Sequence, residues 1–187
     1  MTETWVFDAS QLSAFASGQL LGVLRILAGE RRTVITGEVE AELRAGLAKV
    51  PQLNDVLQAA WLERVDTLEA TGAHRMFGTF AERLVGATQR NLGEATVLTW
   101  AATHTSAIAI IDDAVARKVA REHSVTCIGT LGILLEAIRA RQVSIEVASR
   151  MADIYIETNG RLPFQPGGFV TWAIQAGEID PSSSIMS

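Results

Sequence analysis

Residues 107–112, Ala107-Ile108-Ala109-Ile110-Ile111-Asp112, form an unbroken apolar run closed by a carboxylate. Five consecutive apolar residues with three isoleucines make this the clearest strand of the chain, and a helical pattern follows at once. Trp5-Val6-Phe7-Asp8 repeats the arrangement near the start: a short apolar run, an acid at its end, then a helix-like segment. Two carboxylates therefore stand at strand ends. In an open parallel sheet, ligands bind outside the carboxyl ends of the strands, so acids ending two strands are candidates for one shared site.

Working outward, Leu12, Phe15, Ala16, Leu20, Val23, Leu24 and Leu27 form one helical stripe after the first strand, and Thr33 to Ile35 forms a second strand. Val39, Leu43, Leu47 and Val50 predict a helix from Gly37 to about Lys49 that Pro51 stops. Asn54 is expected to cap the next helix. Trp61-Leu62-Glu63-Arg64-Val65 fits either a helix end or a third strand, and the strand is preferred. Asn91 to about His104 is helical, as is the segment after Asp113, with Val115 and Val119 inward and Arg117, Lys118 and Arg121 outward. Val125 to Ile128 supplies another strand before the turn Gly129-Thr130-Leu131-Gly132. Strands alternating with helices imply an α/β fold with a mostly parallel sheet.

The 187 residues fit one domain with a self-sufficient core, and 48% apolar with 20% charged residues argues against disorder. The exception is the stretch 180–187, expected to be a flexible tail. Cys127 reads as a small buried hydrophobe and has no disulfide partner in the chain. His74, His104 and His123 are too dispersed for a zinc site. No P-loop, GxGxxG or GxSxG is present. Acids at positions 3 and 8 stand where an export signal needs basic residues, and Arg25 interrupts the most apolar region, so neither export nor a membrane span is expected. A cytoplasmic location follows. The net charge of −5 argues against broad adhesion to nucleic acid but leaves a nucleic-acid substrate open, because bound cations would invert the local potential of an acidic site.

Two further acids lie on or beside inward helix faces. Glu94 shares a stripe with Val97, Leu98 and Ala101, although Asn91 with Glu94 also matches a capping box. Glu40 and Glu42 flank the stripe of their helix on opposite sides; periodicity sets Glu38 aside and leaves both open. All three also suit the first-turn dipole. Asp8 and Asp112 have an alternative use as helix caps. Asp113 competes with Asp112, because adjacent acids in extended backbone face opposite sides, and Asp112 is preferred as closer to the strand. Ser10 and Thr130 are candidate supporting residues, and each is equally an ordinary cap. Four converging carboxylates repel one another unless protonated or bridged by hard divalent cations such as Mg²⁺ or Mn²⁺, which indicates a metal-dependent enzyme acting on phosphates.

These segments, Val6-Phe7-Asp8-Ala9-Ser10, Val39-Glu40-Ala41-Glu42-Leu43, Gly93-Glu94-Ala95, Ile111-Asp112-Asp113 with Ala116-Arg117, and Gly129-Thr130-Leu131-Gly132, resemble a PIN domain, in particular the branch of VapC-like toxin nucleases. The resemblance covers residues 5 to about 145. It implies a three-layer α/β/α sandwich in which Asp8, Glu42, Glu94 and Asp112 bind Mg²⁺ or Mn²⁺. Glu42 is chosen on the resemblance, because the acid stands directly before a leucine, and Glu40 is the fallback. It also implies endoribonuclease activity, the toxin role in a toxin–antitoxin pair and a small antitoxin partner. Arg90, Arg117, Lys118 and Arg121 are candidates for guiding the RNA backbone, or simply solvated helix faces. Residues 1–145 are expected to be the nuclease domain. Residues 146–179 are read as a helical extension on the same domain that covers an edge or supports a homo-oligomer. The competing functions are a non-catalytic PIN-like scaffold and a metal-dependent DNA nuclease.

Overall fold

A computed structural model of the chain describes residues 2–85, 91–158 and 160–180. The expectations for Arg90 and for the tail beyond residue 180 lie outside the described residues. The polypeptide forms two compact units, Met1–Thr130 and Leu131–Ser187.

Among the described residues the first unit carries five strands, β1 (Thr4–Phe7), β2 (Arg32–Thr36), β3 (Glu63–Val65), β4 (Ala107–Ile110) and β5 (Cys127–Ile128). All pair in parallel, in the order β3-β2-β1-β4-β5. Helices α1 (Ala9–Ser17), α2 (Leu21–Ala28), α3 (Gly37–Gly46) and α4 (Leu53–Leu57) connect β1 to β3 and pack among themselves. Helices α5 (Ala73–Leu84), α6 (Leu92–Thr103) and α7 (Ala114–Glu122) belong to the crossovers into β4 and β5, and form the second group. Right-handed crossovers running in opposite directions from β1 put these groups on opposite faces, giving the three-layer α/β/α sandwich. The buried Trp5, Val6, Phe7, Val34, Ile35, Ala109 and Ile110 fill both faces of the central strands. Continuous apolar runs are what a sheet covered on both sides requires.

Sequence order reverses at β1, which lies between β2 and β4. Phe7 pairs with Ile110 in register, so Asp8 and Asp112 leave adjacent strands at this switch point. In doubly wound sheets that is where a crevice opens.

Several local expectations need correction. The stripe from Leu12 to Leu27 is two helices, because the chain breaks at Gly18 and Gln19, the latter in a left-handed conformation (φ 57°). Asn54 lies inside α4 and does not cap it. Asn91 also adopts left-handed backbone (φ 64°) and its side chain caps nothing in α6; its Nδ2 donates to Leu84 O at 3.4 Å. An N-cap needs extended backbone, so the capping box with Glu94 does not form. The ambiguous segment at 61–65 does end in a strand, β3, paired with β2.

The second unit carries α8 (Thr130–Arg139) beyond its first residue, α9 (Ile145–Glu157) and α10 (Phe169–Gln175). Ser144 caps α9 by accepting from Val147 N, and Phe164, Phe169 and Trp172 form an aromatic cluster beside α10. Among the described residues, no helix is long and apolar enough to cross a membrane.

Candidate metal and phosphate site

Asp8 is 3% exposed and serves as the N-cap of α1. Its Oδ2 accepts from Ser10 N at 3.1 Å and from Ser10 Oγ at 2.5 Å, while Oδ1 is buried with no hydrogen-bond partner. Capping thus uses one oxygen and leaves the other buried without a hydrogen-bond partner. Burial drives the Asp8 pKa up, the charge of Asp112 adds to the rise, and the Ser10 hydrogen bonds oppose it. A buried carboxylate oxygen without a donor is costly, and a cation relieves that cost.

Glu42 and Glu94 reach the same place from two helices. Glu42 Oε1 accepts from Gly93 N at 3.0 Å, which ties α3 to the first turn of α6. A Cβ at position 93 would lie 2.7 Å from that oxygen, so only glycine permits this approach. Burial raises the Glu42 pKa, Asp8 raises it further, and the Gly93 amide opposes. The Glu94 carboxyl is half-buried and pushed up to about 7, by burial first and then by the charges of Asp8, Glu42 and Asp113. Each acid is made a poorer anion by its neighbours, the behaviour expected where like charges share one site.

A buried hydroxyl relay sets the spacing of α3 and α6. The Thr96 hydroxyl donates to Gly93 O at 2.7 Å and Thr36 Oγ1 lies 2.8 Å from Thr96 Oγ1, so Thr36 must be the donor between them. The Thr36 oxygen in turn accepts from Val39 N at 3.3 Å and caps α3. Gly93 is held from its carbonyl side while its N–H meets Glu42.

Asp112 turns toward β5. Oδ1 accepts from Thr130 N at 2.8 Å and Oδ2 from Thr130 Oγ1 at 2.7 Å. The neighbouring Asp113 is exposed and caps α7, accepting from Ala116 N at 2.8 Å. The cap after β4 is therefore Asp113, and Asp112 is not the cap of α7. Glu40 is engaged elsewhere: it pairs with Arg44 at 2.5 Å and Arg64 at 3.9 Å. The structure thus places Asp8, Glu42 and Glu94 in one another's field and Asp112 in the field of Asp8, with Ser10 and Thr130 bonded to the two strand-end acids.

Along most of its length the chain matches one protein family: residues 4–161 fit the family model described as a PIN domain. The chain belongs to the PIN-domain family. PIN domains are nuclease folds that act on nucleic acid and typically use divalent metals. No curated protein matches the chain.

Among the described residues, no three His, Cys, Asp or Glu side chains already stand as a set that could hold a metal ion. The donor chemistry of this PIN site nevertheless fits a hard divalent cation. Its groups are carboxylate oxygens, one of them orphaned, and Mg²⁺ keeps several waters and needs only one or two carboxylates directly. Like-charged side chains also separate when nothing bridges them. Sequence reasoning missed Gly93 as the donor to Glu42 and the Thr36–Thr96 relay. The available signal was a glycine immediately before Glu94; the hydroxyl pair joins positions too far apart in sequence to leave one.

Proposed function

We propose that this PIN domain is a metal-dependent endoribonuclease of the VapC-like type, the toxin of a toxin–antitoxin pair. The observation that carries the reading is the buried, unpartnered Oδ1 of Asp8 at the sheet's switch point, within the fields of Glu42, Glu94 and Asp112. RNA as substrate and a small antitoxin partner rest on the motif resemblance.

In this reading Asp8, Glu42, Glu94 and Asp112 hold the cation, Mg²⁺ or Mn²⁺. A bound divalent ion supplies a more acidic water and charge stabilisation for a phosphodiester. The protein's part is placement. Ser10 orients Asp8 so that one oxygen faces the site, and Thr130 orients Asp112 through both carboxylate oxygens. Glu94, with its pKa near 7, must give up its proton when the cation binds. In hydrolysis one water adds its oxygen to phosphorus, the bond to the leaving oxygen breaks, and the leaving oxygen ends protonated. No cysteine, catalytic histidine or organic cofactor is needed.

The test is cleavage of a mixed RNA pool, beside single-stranded DNA, by purified protein with Mn²⁺, Mg²⁺ or EDTA. Metal-dependent cutting of RNA alone is expected. Cutting of DNA with equal efficiency moves the reading to a DNA nuclease. Absence of cutting in every condition makes the chain a non-catalytic binding module.

A further inference from the structure

Three basic side chains ride on α7 and they are not equivalent. Lys118 is exposed and stands 4.0 Å from Glu122, and Arg121 is exposed. Arg117 is half-buried, its Nε is shut off from solvent without a hydrogen-bond acceptor, and it enters no ion pair among the described residues. Other arginines of the first unit do pair: Arg31 with Glu3, Arg32 with Glu63, Arg83 with Glu122. The buried Nε N–H without an acceptor costs about as much as a lost charged hydrogen bond, and the Nη atoms, neither buried nor bonded, are the part of this unpaired charge that a ligand can meet.

Its position brings it to the strand-end acid. A Cβ added at Gly129 would overlap Asp112 Oδ1 and stand 3.5 Å from Arg117 Nη1. The guanidinium and the strand-end carboxylate therefore share one spot above Gly129. The charges of both also reach the nearby Cys127 thiol, which burial pushes up to about 12; Arg117 opposes that rise and Asp112 adds to it. Asp112 accepts from Thr130 through both oxygens, and no ion pair links it to Arg117. Helical side chains lean toward the helix N-terminus, so a residue one turn into α7 is aimed back at the β4 end.

We propose that Arg117 is a phosphate-binding residue: its guanidinium donates to a non-bridging oxygen of the scissile phosphodiester beside Asp112. This rests on the nuclease reading above. A planar fork of donors suits a phosphate better than a single ammonium does, and it would stabilise charge that grows on the phosphate oxygens during displacement.

The experiment compares wild type, Arg117→Ala, Arg117→Lys and Arg121→Ala in steady-state RNA cleavage, and in binding of a short single-stranded RNA with Ca²⁺ at several salt concentrations. Arg117→Ala is expected to lose about 10- to 100-fold in kcat/KM, mostly in kcat. The slope of log affinity against log salt should fall by about 0.7, one phosphate contact on a single strand. Arg117→Lys should restore the slope but only part of kcat, which excludes misfolding as the cause, and Arg121→Ala should resemble wild type. Equal losses in the Arg117 and Arg121 variants, or an unchanged slope with tighter Mg²⁺ binding in Arg117→Ala, overturn the proposal. Wild type that binds RNA without cutting it removes the nuclease reading alone, and the salt slope still judges Arg117. Wild type that cuts equally well as Arg117→Ala removes only the Arg117 assignment, and absence of RNA binding removes both.

Discussion

The two ends of the parallel sheet differ in how their acidic groups are held. At the N-terminal end of the strands a cavity of about 510 Å³ is lined by Glu3, His104, Ser106, His123 and Ser124, among others. Two of its titratable groups are tied to neighbours. Glu3 pairs with Arg31 at 2.8 Å, and His104 donates Nδ1–H to Trp100 O at 2.9 Å while its ring stacks on Trp100. At the C-terminal end Asp8 has an orphaned buried oxygen, and three carboxyls are pushed up by burial and by one another. Concavity is a common guide to a site, but here the cluster of carboxyls with raised pKa is the better one, because such shifts gather where titratable groups work together.

The largest expected effect sets one end against the other. Asp8→Asn should reduce metal-dependent RNA cleavage by about a thousandfold or more, the scale of removing a main electrostatic element of a site. His123→Ala at the cavity should leave cleavage nearly unchanged; a comparable loss there would put the chemistry at the wrong end of the sheet. Next in size, Glu42→Gln should cost about a hundredfold in kcat/KM while Glu40→Gln costs little, since Glu40 is held by Arg44 and Arg64. The reverse ranking in the same kinetic assay would transfer the role to Glu40.

Gly93→Ala should act through Glu42. The added methyl would lie 2.7 Å from Glu42 Oε1, so the carboxylate must swing away. About a tenfold weaker Mn²⁺ affinity is expected, the lower end for a displaced supporting contact, with α6 still folded by circular dichroism. Unchanged Mn²⁺ affinity would show that the contact does not position Glu42.

The smallest effect is a pH dependence of stability. In the metal-free protein Glu94 keeps its proton to about pH 7, whereas an ordinary glutamate loses it near 4.5. Between those values the folded state holds more protons than the unfolded one, so stability falls as pH rises from about 4.5 through 7. Allowing for solvent screening of a half-exposed group, the loss is about 1 kcal/mol, or roughly 3 °C in Tm. Saturating Mg²⁺ should remove the fall. A Tm in EDTA that rises across the same interval would contradict the repulsion at the acidic end.

How much of this was legible in the sequence follows from the range of the interactions. The strand-end acids could be read because strand and acid are neighbours, and parallel topology then carries Asp8 and Asp112 to one edge. The choice between Glu40 and Glu42 could not be read from periodicity, because both flank one stripe and the difference lies in partners on other elements, Gly93 for one and Arg64 for the other. Gly18 hid the break between α1 and α2 because apolar residues continue in phase across it. The capping box at Asn91 failed because the backbone there is left-handed, a conformation that a side-chain motif does not reveal.

In the proposed function the acidic end of this PIN domain holds a divalent cation. Calorimetric titration of Mn²⁺ into wild type and Asp8→Asn near pH 6.5, in two buffers of different ionisation enthalpy, addresses it most directly. Mn²⁺ binding with net proton release is expected, since Glu94 is largely protonated below its pKa of about 7, together with loss of that binding in Asp8→Asn. Equal binding by both proteins, or by neither, would contradict it.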